Sequence, residues 1–167
     1  VNGRPSEEKV IEPGDLIIMT GGRIGKDGIH GATFSSEEFH EESPTSAVQI
    51  GDPITQKKLT DFLLRARDKN LYRALTDDGA GGLSSSIGEM AQLTGGCLIE
   101  LDKPPLKYQG LDPWEILLSE AQERMTIAVP RETIAAFLAL SRAMDVESTV
   151  VGEFTDSGFF QDRKRVV

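Results

Sequence analysis

The segment TDDGAGGLSSSIGEM (residues 76–90) combines residue types that bind metal ions and anions. Two adjacent carboxylates, Asp77 and Asp78, precede a glycine-rich turn and three serines. Mg²⁺ prefers oxygen ligands and commonly joins one or two carboxylates to a substrate phosphate. Successive backbone N–H groups of a glycine-rich turn can in addition bind an anion. The segment therefore predicts a combined metal and anion site, with Asp77 at the carboxyl end of a strand.

Two other interpretations of this segment stay open. The segment can be an ordinary strand-to-helix turn. In that interpretation the glycines allow tight backbone geometry, Asp77 and Asp78 are solvated loop acids, and the serines cap the helix. As a dinucleotide fingerprint, GAGGLS would bind a pyrophosphate, with Asp102 near the distance of a ribose-binding acid. The fingerprint is disfavoured because Ser84 stands at its third glycine position. Two carboxylates would also face the pyrophosphate, and like charges ~4 Å apart repel by about 4 kcal/mol at an effective dielectric of 20.

A second glycine-rich stretch, GGRIGKDG (residues 21–28), is a candidate anion-binding loop. Its backbone N–H groups, with Arg23 and Lys26, could cradle an anion, although a flexible connection explains the composition equally well. It is not a Walker loop, because Thr20 and Asp27 stand where that pattern needs a glycine and a hydroxyl.

The remaining reactive side chains do not form a recognisable catalytic pattern. His30 and His40 lack the spacing of a zinc site and give no support to a Ser-His-Asp triad. Cys97 is the single cysteine, which excludes an intrachain disulfide, and we expect it to be a small core residue.

Composition bounds the class of protein. The chain has 167 residues, of which 38% are hydrophobic, and this is enough for one globular domain with a core. A formal net charge of -9 repels phosphate backbones and anionic membranes, so we expect no nucleic-acid partner. No apolar run approaches the roughly 18 residues of a membrane span. We therefore expect a cytoplasmic protein that is not bound to a membrane. Because the chain begins with Val1, we also expect a piece of a longer polypeptide.

Strand and helix signals alternate along the chain and predict a layered α/β domain. Ser86 and Glu89 have the spacing of a capping box, and Asp112 with Glu115 suits another helix start. The predicted strands cover residues 14–22, 71–75, 97–102, 124–129 and 148–154, and the predicted helices cover 53–69, 86–94, 113–118 and 131–144.

Four motifs in a fixed order resemble those of a known enzyme family. They are GGRIGKDGIHGATF, SPTSAVQIGDPITQKKL, TDDGAGGLSSSIGEMA and LSEAQERM. The sequence is similar over roughly residues 10–158 to the synthase of formylglycinamidine ribonucleotide, which acts in purine biosynthesis. The resemblance implies that residues 1–167 form one domain of a longer synthase. That domain is a mixed-sheet, layered α/β/α carboxyl-terminal domain related to aminoimidazole ribonucleotide (AIR) synthetase, the first of two such domains in the parent chain.

The resemblance also implies an activity and its site residues. The family amidates formylglycinamide ribonucleotide (FGAR) with ammonia from glutamine, using ATP and Mg²⁺. Matching positions here are Asp77 as a magnesium ligand and Gln49, Glu120, Ala121 and Gln122 as substrate-binding residues. The family often has serine where Ala121 stands. No catalytic residue falls in this chain, because the family's catalytic histidine and most ATP contacts belong to a separate half. The implied partners are FGAR, the remaining synthase domains and a glutaminase component, and the chain alone is expected to be inactive.

Two competing functions remain. Another ATP-dependent enzyme of the same superfamily, such as a selenophosphate or thiamine-phosphate kinase relative, is disfavoured by the LSEAQERM motif. A non-catalytic interaction or regulatory module is disfavoured by the presence of Gln49 and Asp77.

Overall fold

The computed structural model describes residues 9–29, 51–163 and 165–166. Gln49, His30 and His40 therefore lie outside the described residues. The elements in chain order are β1 (Leu16–Gly21), α1 (Pro53–Asp68), β2 (Ala74–Asp78), α2 (Gly82–Thr94), β3 (Cys97–Ile99), α3 (Pro113–Leu118), β4 (Ala121–Val129), α4 (Ile134–Ala143), β5 (Ser148–Phe154), β6 (Phe160–Asp162) and β7 (Arg165–Val166).

The strands form one mixed sheet in the order β2-β4-β1-β5-β3-β6-β7. Neighbouring strands pair antiparallel except β3 and β6, which pair in parallel. The predicted mixed sheet is confirmed. β2 lies at one end of this order, and β4 is its neighbour in the sheet.

Helices cover both faces of the sheet and bury a separate core on each side. Ile17 and Met19 of β1 belong to one core, which also contains apolar residues of α2 and α3. Ile18 belongs to the other, which contains apolar residues of α1 and α4. This alternation is the two-residue period of a strand that is buried on both faces. It confirms the predicted α/β/α layering.

Two helices follow their sequence patterns closely. The apolar residues of α1 recur at helical spacing and are buried, and Phe62 packs edge-on against Phe137 of α4 with ring centroids 5.0 Å apart. Asp52 caps α1 through its side-chain oxygen, which accepts from the Ile54 N–H at 3.0 Å. The capping box predicted for α3 is present between Asp112 and Glu115.

The prediction for the start of α2 was wrong. The helix begins at Gly82 rather than Ser86, because Gly81 and Gly82 adopt left-handed backbone angles that turn the chain directly into the helix. Ser86 consequently lies inside the helix, where its buried hydroxyl is 2.8 Å from the hydroxyl of Thr126. The preceding strand is also displaced, since β2 begins at Ala74 rather than at Leu71.

Three strand boundaries differ from the predictions. β4 begins at Ala121 rather than at Arg124, so residues 121–123 belong to the strand. β3 ends at Ile99 rather than at Asp102. β5 is not the last strand, because the chain turns at Gly158 (φ 80°) and adds β6 and β7.

Among the described residues, no helix combines the length and apolarity needed to cross a membrane.

Candidate functional site

Three of the motifs singled out in the sequence meet at Glu120. Its carboxylate Oε1 accepts a hydrogen bond at 3.1 Å from the backbone N–H of Gly81, in the turn between β2 and α2. Its own backbone N–H donates to the carbonyl of Asp27 at 3.0 Å, in the glycine-rich loop after β1. The residue that the resemblance assigns to substrate binding therefore connects the two glycine-rich segments.

A bulge between β2 and β4 sets the geometry of this corner. Asp77 pairs with Met125, whereas the next residue, Asp78, pairs with Ala121. Asp77 and Asp78 are adjacent in β2, whereas three residues of β4 (122–124) lie between their two pairing partners. A bulge of this kind bends the strand and re-aims its side chains, and bulges are frequent beside active sites. Here it leaves Gln122 exposed and buries Arg124.

Two glycines allow the close approach of these segments. Gly28 has φ 63°, and a Cβ there would lie 2.7 Å from the Cβ of Glu120. Gly82 has φ 55°, and a Cβ there would lie 2.3 Å from the carbonyl oxygen of Ser119. Any other residue would therefore be strained in its backbone and would push against the segment 119–120.

Asp77 is the one acid of the adjacent pair that remains accessible. Its side chain is exposed, and its Oδ1 accepts from the Gly79 N–H at 3.0 Å. Within the described residues, its other oxygen receives no protein hydrogen bond. No group of three His, Cys, Asp or Glu side chains able to hold a metal occurs in the described part of the chain. One free carboxylate oxygen beside a glycine-rich turn suits Mg²⁺ shared with a substrate phosphate, and it does not suit an all-protein cage.

Asp78 is fully buried, so the interpretation of both aspartates as solvated loop acids was wrong. Its Oδ2 accepts from Arg124 Nε at 3.1 Å, and its Oδ1 accepts from the Thr126 hydroxyl at 2.7 Å. Burial raises the pKa of the Asp78 carboxyl, and the Arg124 charge opposes that rise. Asp78 is committed to the core, and only Asp77 is available to a cation.

The glycine-rich loop after β1 is anchored over its described part, which excludes a merely flexible connection for those residues. Ile24 forms an isolated parallel bridge with Leu106. The Ile24 N–H donates to Pro105 at 3.0 Å, and the Ile24 carbonyl accepts from Lys107 at 2.7 Å. Lys107 also pairs with Asp27 at 2.5 Å. The loop is therefore held against residues 105–107 at the point where it meets Glu120.

Both cations proposed for an anion site in this loop have acidic partners. Arg23 Nε lies 2.9 Å from Glu147, and Lys26 Nζ lies 3.0 Å from Glu115. The hydrogen bonds that Arg23 and Lys26 donate to these carboxylates raise the pKa of both cations. An incoming anion would have to compete with a carboxylate at each position. Anion binding by Arg23 and Lys26 stays a prediction.

A cleft of about 210 Å³ is lined by Arg23 but lies away from the predicted metal and substrate ligands. It is crossed by the ion pairs of Arg23 with Glu147 and of Lys58 with Asp145. Neither Asp77 nor Glu120 lines it. Its polar side chains neutralise one another, so the open corner around Asp77 is the better candidate site.

The sequence interpretation missed one residue of this corner and was right about the buried cysteine elsewhere in the sheet. Arg124 is fully buried at the base of the corner, although it was considered only as the first residue of an apolar strand. The signal that could have identified it is a single arginine in an otherwise apolar strand. A buried arginine needs an acidic partner, and the adjacent pair Asp77 and Asp78 offered one. Cys97 is buried as predicted, and burial raises the pKa of its thiol to about 11.

Comparison with known proteins agrees with these motifs. The family described as "AIR synthase related protein, C-terminal domain" matches residues 12–162. Phosphoribosylformylglycinamidine synthase subunit PurL of Methanopyrus kandleri is 43% identical over 152 residues, covering 88% of this chain and 21% of that protein. The chain thus spans about a fifth of the length of the curated relatives it matches.

Two solved structures are similar over most of the chain. Thermotoga maritima PurL complexed with FGAR is 34% identical with a TM-score of 0.83, over 95% of this chain and 27% of that one. The same protein complexed with ATP is 30% identical with a TM-score of 0.79, over 95% of this chain and 25% of that one. With the family match spanning nearly all of the described fold, the chain belongs to the AIR synthase related proteins as a carboxyl-terminal domain of that family.

Proposed function

We propose that this chain is one domain of a phosphoribosylformylglycinamidine synthase and that it forms one wall of the site for FGAR. The observation that supports this most strongly is the convergence at Glu120. The LSEAQERM motif, the TDDGAGG turn and the GGRIGKDG loop are distant in sequence, yet two hydrogen bonds of Glu120 join them, one to its side-chain carboxylate and one from its backbone N–H. The similarity to PurL complexed with FGAR supports the choice of substrate.

In this proposal the exposed Gln122 and the half-buried Glu120 contact the ribonucleotide. An amide offers both a donor and an acceptor, which matches the formyl-amide end of FGAR. One carboxylate oxygen of Glu120 is held by Gly81, which fixes the orientation of the other. Ala121 is buried and has no side-chain hydroxyl, so a contact from this position would use its backbone. Gln49 stays a predicted contributor to the same site.

Asp77 would hold Mg²⁺ in this proposal. Its exposed carboxylate lies at the end of β2 and accepts from the Gly79 N–H in the glycine-rich turn before α2. A carboxylate beside such a turn suits a metal ion that is shared with a phosphate. When bound, Mg²⁺ would neutralise phosphate charge and orient the nucleotide. Asp77 itself would keep the metal on this wall of the site, while the buried Asp78 supports the strand behind it.

The rest of the enzyme lies beyond this chain in the proposal, which rests on the chain's one-fifth coverage of its relatives. ATP would be bound mainly by the remaining synthase domains, and the similarity to PurL complexed with ATP supports the use of ATP. Ammonia would come from a glutaminase component, fused or separate, and the assembly would work in the cytoplasm. We propose no catalytic residue within this chain.

The test uses the full gene product that carries these residues. It is supplied with FGAR, ATP, Mg²⁺ and ammonium, and ADP and formylglycinamidine ribonucleotide are measured. We expect FGAR-dependent release of ADP, and we expect Asp77→Asn to lower kcat/KM at least about tenfold, which corresponds to ~1.4 kcal/mol of lost transition-state stabilisation. No FGAR-dependent turnover in the wild type would overturn the proposal. An Asp77→Asn variant with wild-type kinetics would overturn the part assigned to Asp77.

A further inference from the structure

We propose that Arg124 is a positioning residue of this site, which holds the segment Glu120–Gln122 and the strand end at Asp77 in a fixed relation. The inference rests on the proposed function. In this proposal Arg124 touches neither the substrate nor the metal. It acts through Ser119 and Asp78, which are the chain neighbours of Glu120 and Asp77.

The guanidinium of Arg124 binds one group on each side of the corner. Its Nη2 donates to the carbonyl oxygen of Ser119 and lies 3.5 Å from the Ser119 hydroxyl. Its Nε donates to the carboxylate of Asp78 at 3.1 Å. Ser119 directly precedes Glu120, and Asp78 directly follows Asp77. One planar side chain therefore links the immediate neighbours of the two predicted ligand-binding elements.

The chemistry of arginine suits this link. The guanidinium is planar, and its N–H donors form a rigid fork, so two acceptors bound to it are held at a set distance and angle. A lysine would keep the charge and lose the fork. The bulge between β2 and β4 leaves residues 122–124 without regular pairing to β2, although Arg124 still pairs with Gly21 of β1. On the β2 side, the Arg124 side chain therefore supplies a link that the backbone ladder lacks at the bulge.

The surroundings leave little room for adjustment. Gly82 of α2 packs so closely on the Ser119 carbonyl that a Cβ there would lie 2.3 Å from its oxygen. Thr126 donates to Asp78 on the other side at 2.7 Å, and Ser86 of α2 lies 2.8 Å from Thr126. The acceptors of Arg124 are thus held by α2 and β4, and the guanidinium is the link between them.

Stability alone does not explain this ion pair. Arg124 and Asp78 are both fully buried, and a buried ion pair is often no more stabilising than well-packed apolar residues of similar volume. Within the part of the chain that the structure describes, Arg124 Nη1 is buried without a hydrogen-bond partner. Such an arrangement is expected where the geometry of Ser119 and Asp78 matters more than the energy of the pair.

The test compares Arg124→Lys with Ser86→Ala in the full gene product. Ser86→Ala is the matched control, because it removes a buried hydroxyl from the same cluster without touching Ser119. KM for FGAR, KM for ATP, kcat and the melting temperature are measured for each. We expect Arg124→Lys to raise KM for FGAR about tenfold while KM for ATP changes less than about twofold. Ser86→Ala should lower the melting temperature and leave both KM values near the wild-type values.

If Arg124→Lys does not fold, a second variant keeps the proposal testable. The pair Asp78→Asn and Arg124→Gln removes both charges together and avoids an uncompensated buried charge. It should raise KM for FGAR selectively in the same way. Wild-type KM values for FGAR in a folded variant, or equal changes for FGAR and ATP, would overturn the positioning role. Absence of FGAR turnover in the wild type would instead overturn the proposed function.

Discussion

Asp78 pairs with Ala121, although the preceding residue, Asp77, pairs with Met125. This jump in register brings the end of β2 beside the start of β4. As a result, the predicted magnesium ligand and the predicted substrate-binding residues share one corner of the sheet. The same jump buries Asp78 against Arg124 while Asp77 stays exposed. Two adjacent and chemically identical side chains thereby acquire different roles.

Replacement of Asp77 by asparagine should weaken the apparent affinity for magnesium and leave the fold intact. The amide lacks the charge that favours the cation, and the side chain is exposed, so its loss costs little stability. We expect the half-saturating Mg²⁺ concentration for turnover to rise about tenfold, which corresponds to ~1.4 kcal/mol. Asp68→Asn, at an exposed carboxylate at the end of α1, is the control. An unchanged magnesium titration in Asp77→Asn would contradict the assignment.

Replacement of Gly28 by alanine should damage the site through Glu120. The new Cβ would lie 2.7 Å from the Glu120 Cβ, so the side chain must move away from Gly81. Gly14→Ala is the matched control, because Gly14 also has a positive φ of 98° but has nothing within 4 Å of a new Cβ. Both variants should lose about 1 kcal/mol from backbone strain. Only Gly28→Ala should raise the FGAR dissociation constant, and an equal effect in both would show that Glu120 is not involved.

The two adjacent aspartates should differ sharply in their contribution to the free energy of unfolding. Asp78→Ala leaves the buried Arg124 without its counter-charge, which costs about 3–5 kcal/mol. Asp77→Ala, at the exposed neighbour, should change the stability by less than about 0.5 kcal/mol. Urea unfolding followed by circular dichroism measures both. Equal losses would mean that Asp78 and Arg124 do not form the buried pair.

Acid should weaken the attachment of the glycine-rich loop through Glu115. The Asp112 backbone N–H, and then the Lys26 ammonium, hold the pKa of Glu115 below its ordinary value of 4.5. A lowered pKa contributes stability that is fully present above pH 4.5 and is lost as the pH falls through the lower value. Melting temperatures should therefore favour the wild type over Glu115→Gln at neutral pH, and the difference should shrink in acid.

Glu132→Gln serves as the control for this pH series. Glu132 is an exposed acid in the turn before α4, and its replacement should change the melting temperature little. If the difference between the wild type and Glu115→Gln stayed constant from pH 3 to 7, the capping carboxylate would not titrate as described.

Local patterns allowed much of the fold to be predicted. The buried face of α1 follows from helical spacing, and the capping box of α3 follows from Asp112 and Glu115, because both depend on residues close in sequence. The start of α2 was misjudged because Gly81 and Gly82 resemble a loop until their left-handed angles are known. A serine with capping-box spacing then offered a plausible but wrong boundary.

The site itself depends on register, which local patterns do not contain. Nothing in the letters TDD distinguishes an exposed Asp77 from a buried Asp78, since the bulge opposite Ala121 decides it. Arg124 was missed for the same reason, because its partners Ser119 and Asp78 come together only across the bulge. The family resemblance predicted Asp77 and Glu120 as site residues, and their roles stay predictions, as does that of Gln49 outside the described residues.

The most direct measurement is a calorimetric titration of the full gene product with FGAR, comparing the wild type with Gln122→Ala. Gln122 is exposed at the start of β4, so its truncation should not disturb folding. Gln161→Ala, on β6 at the other end of the sheet, is the matched control. We expect Gln122→Ala to raise the FGAR dissociation constant about tenfold and the control to leave it unchanged. Wild-type affinity in Gln122→Ala would contradict the claim that this corner binds the ribonucleotide.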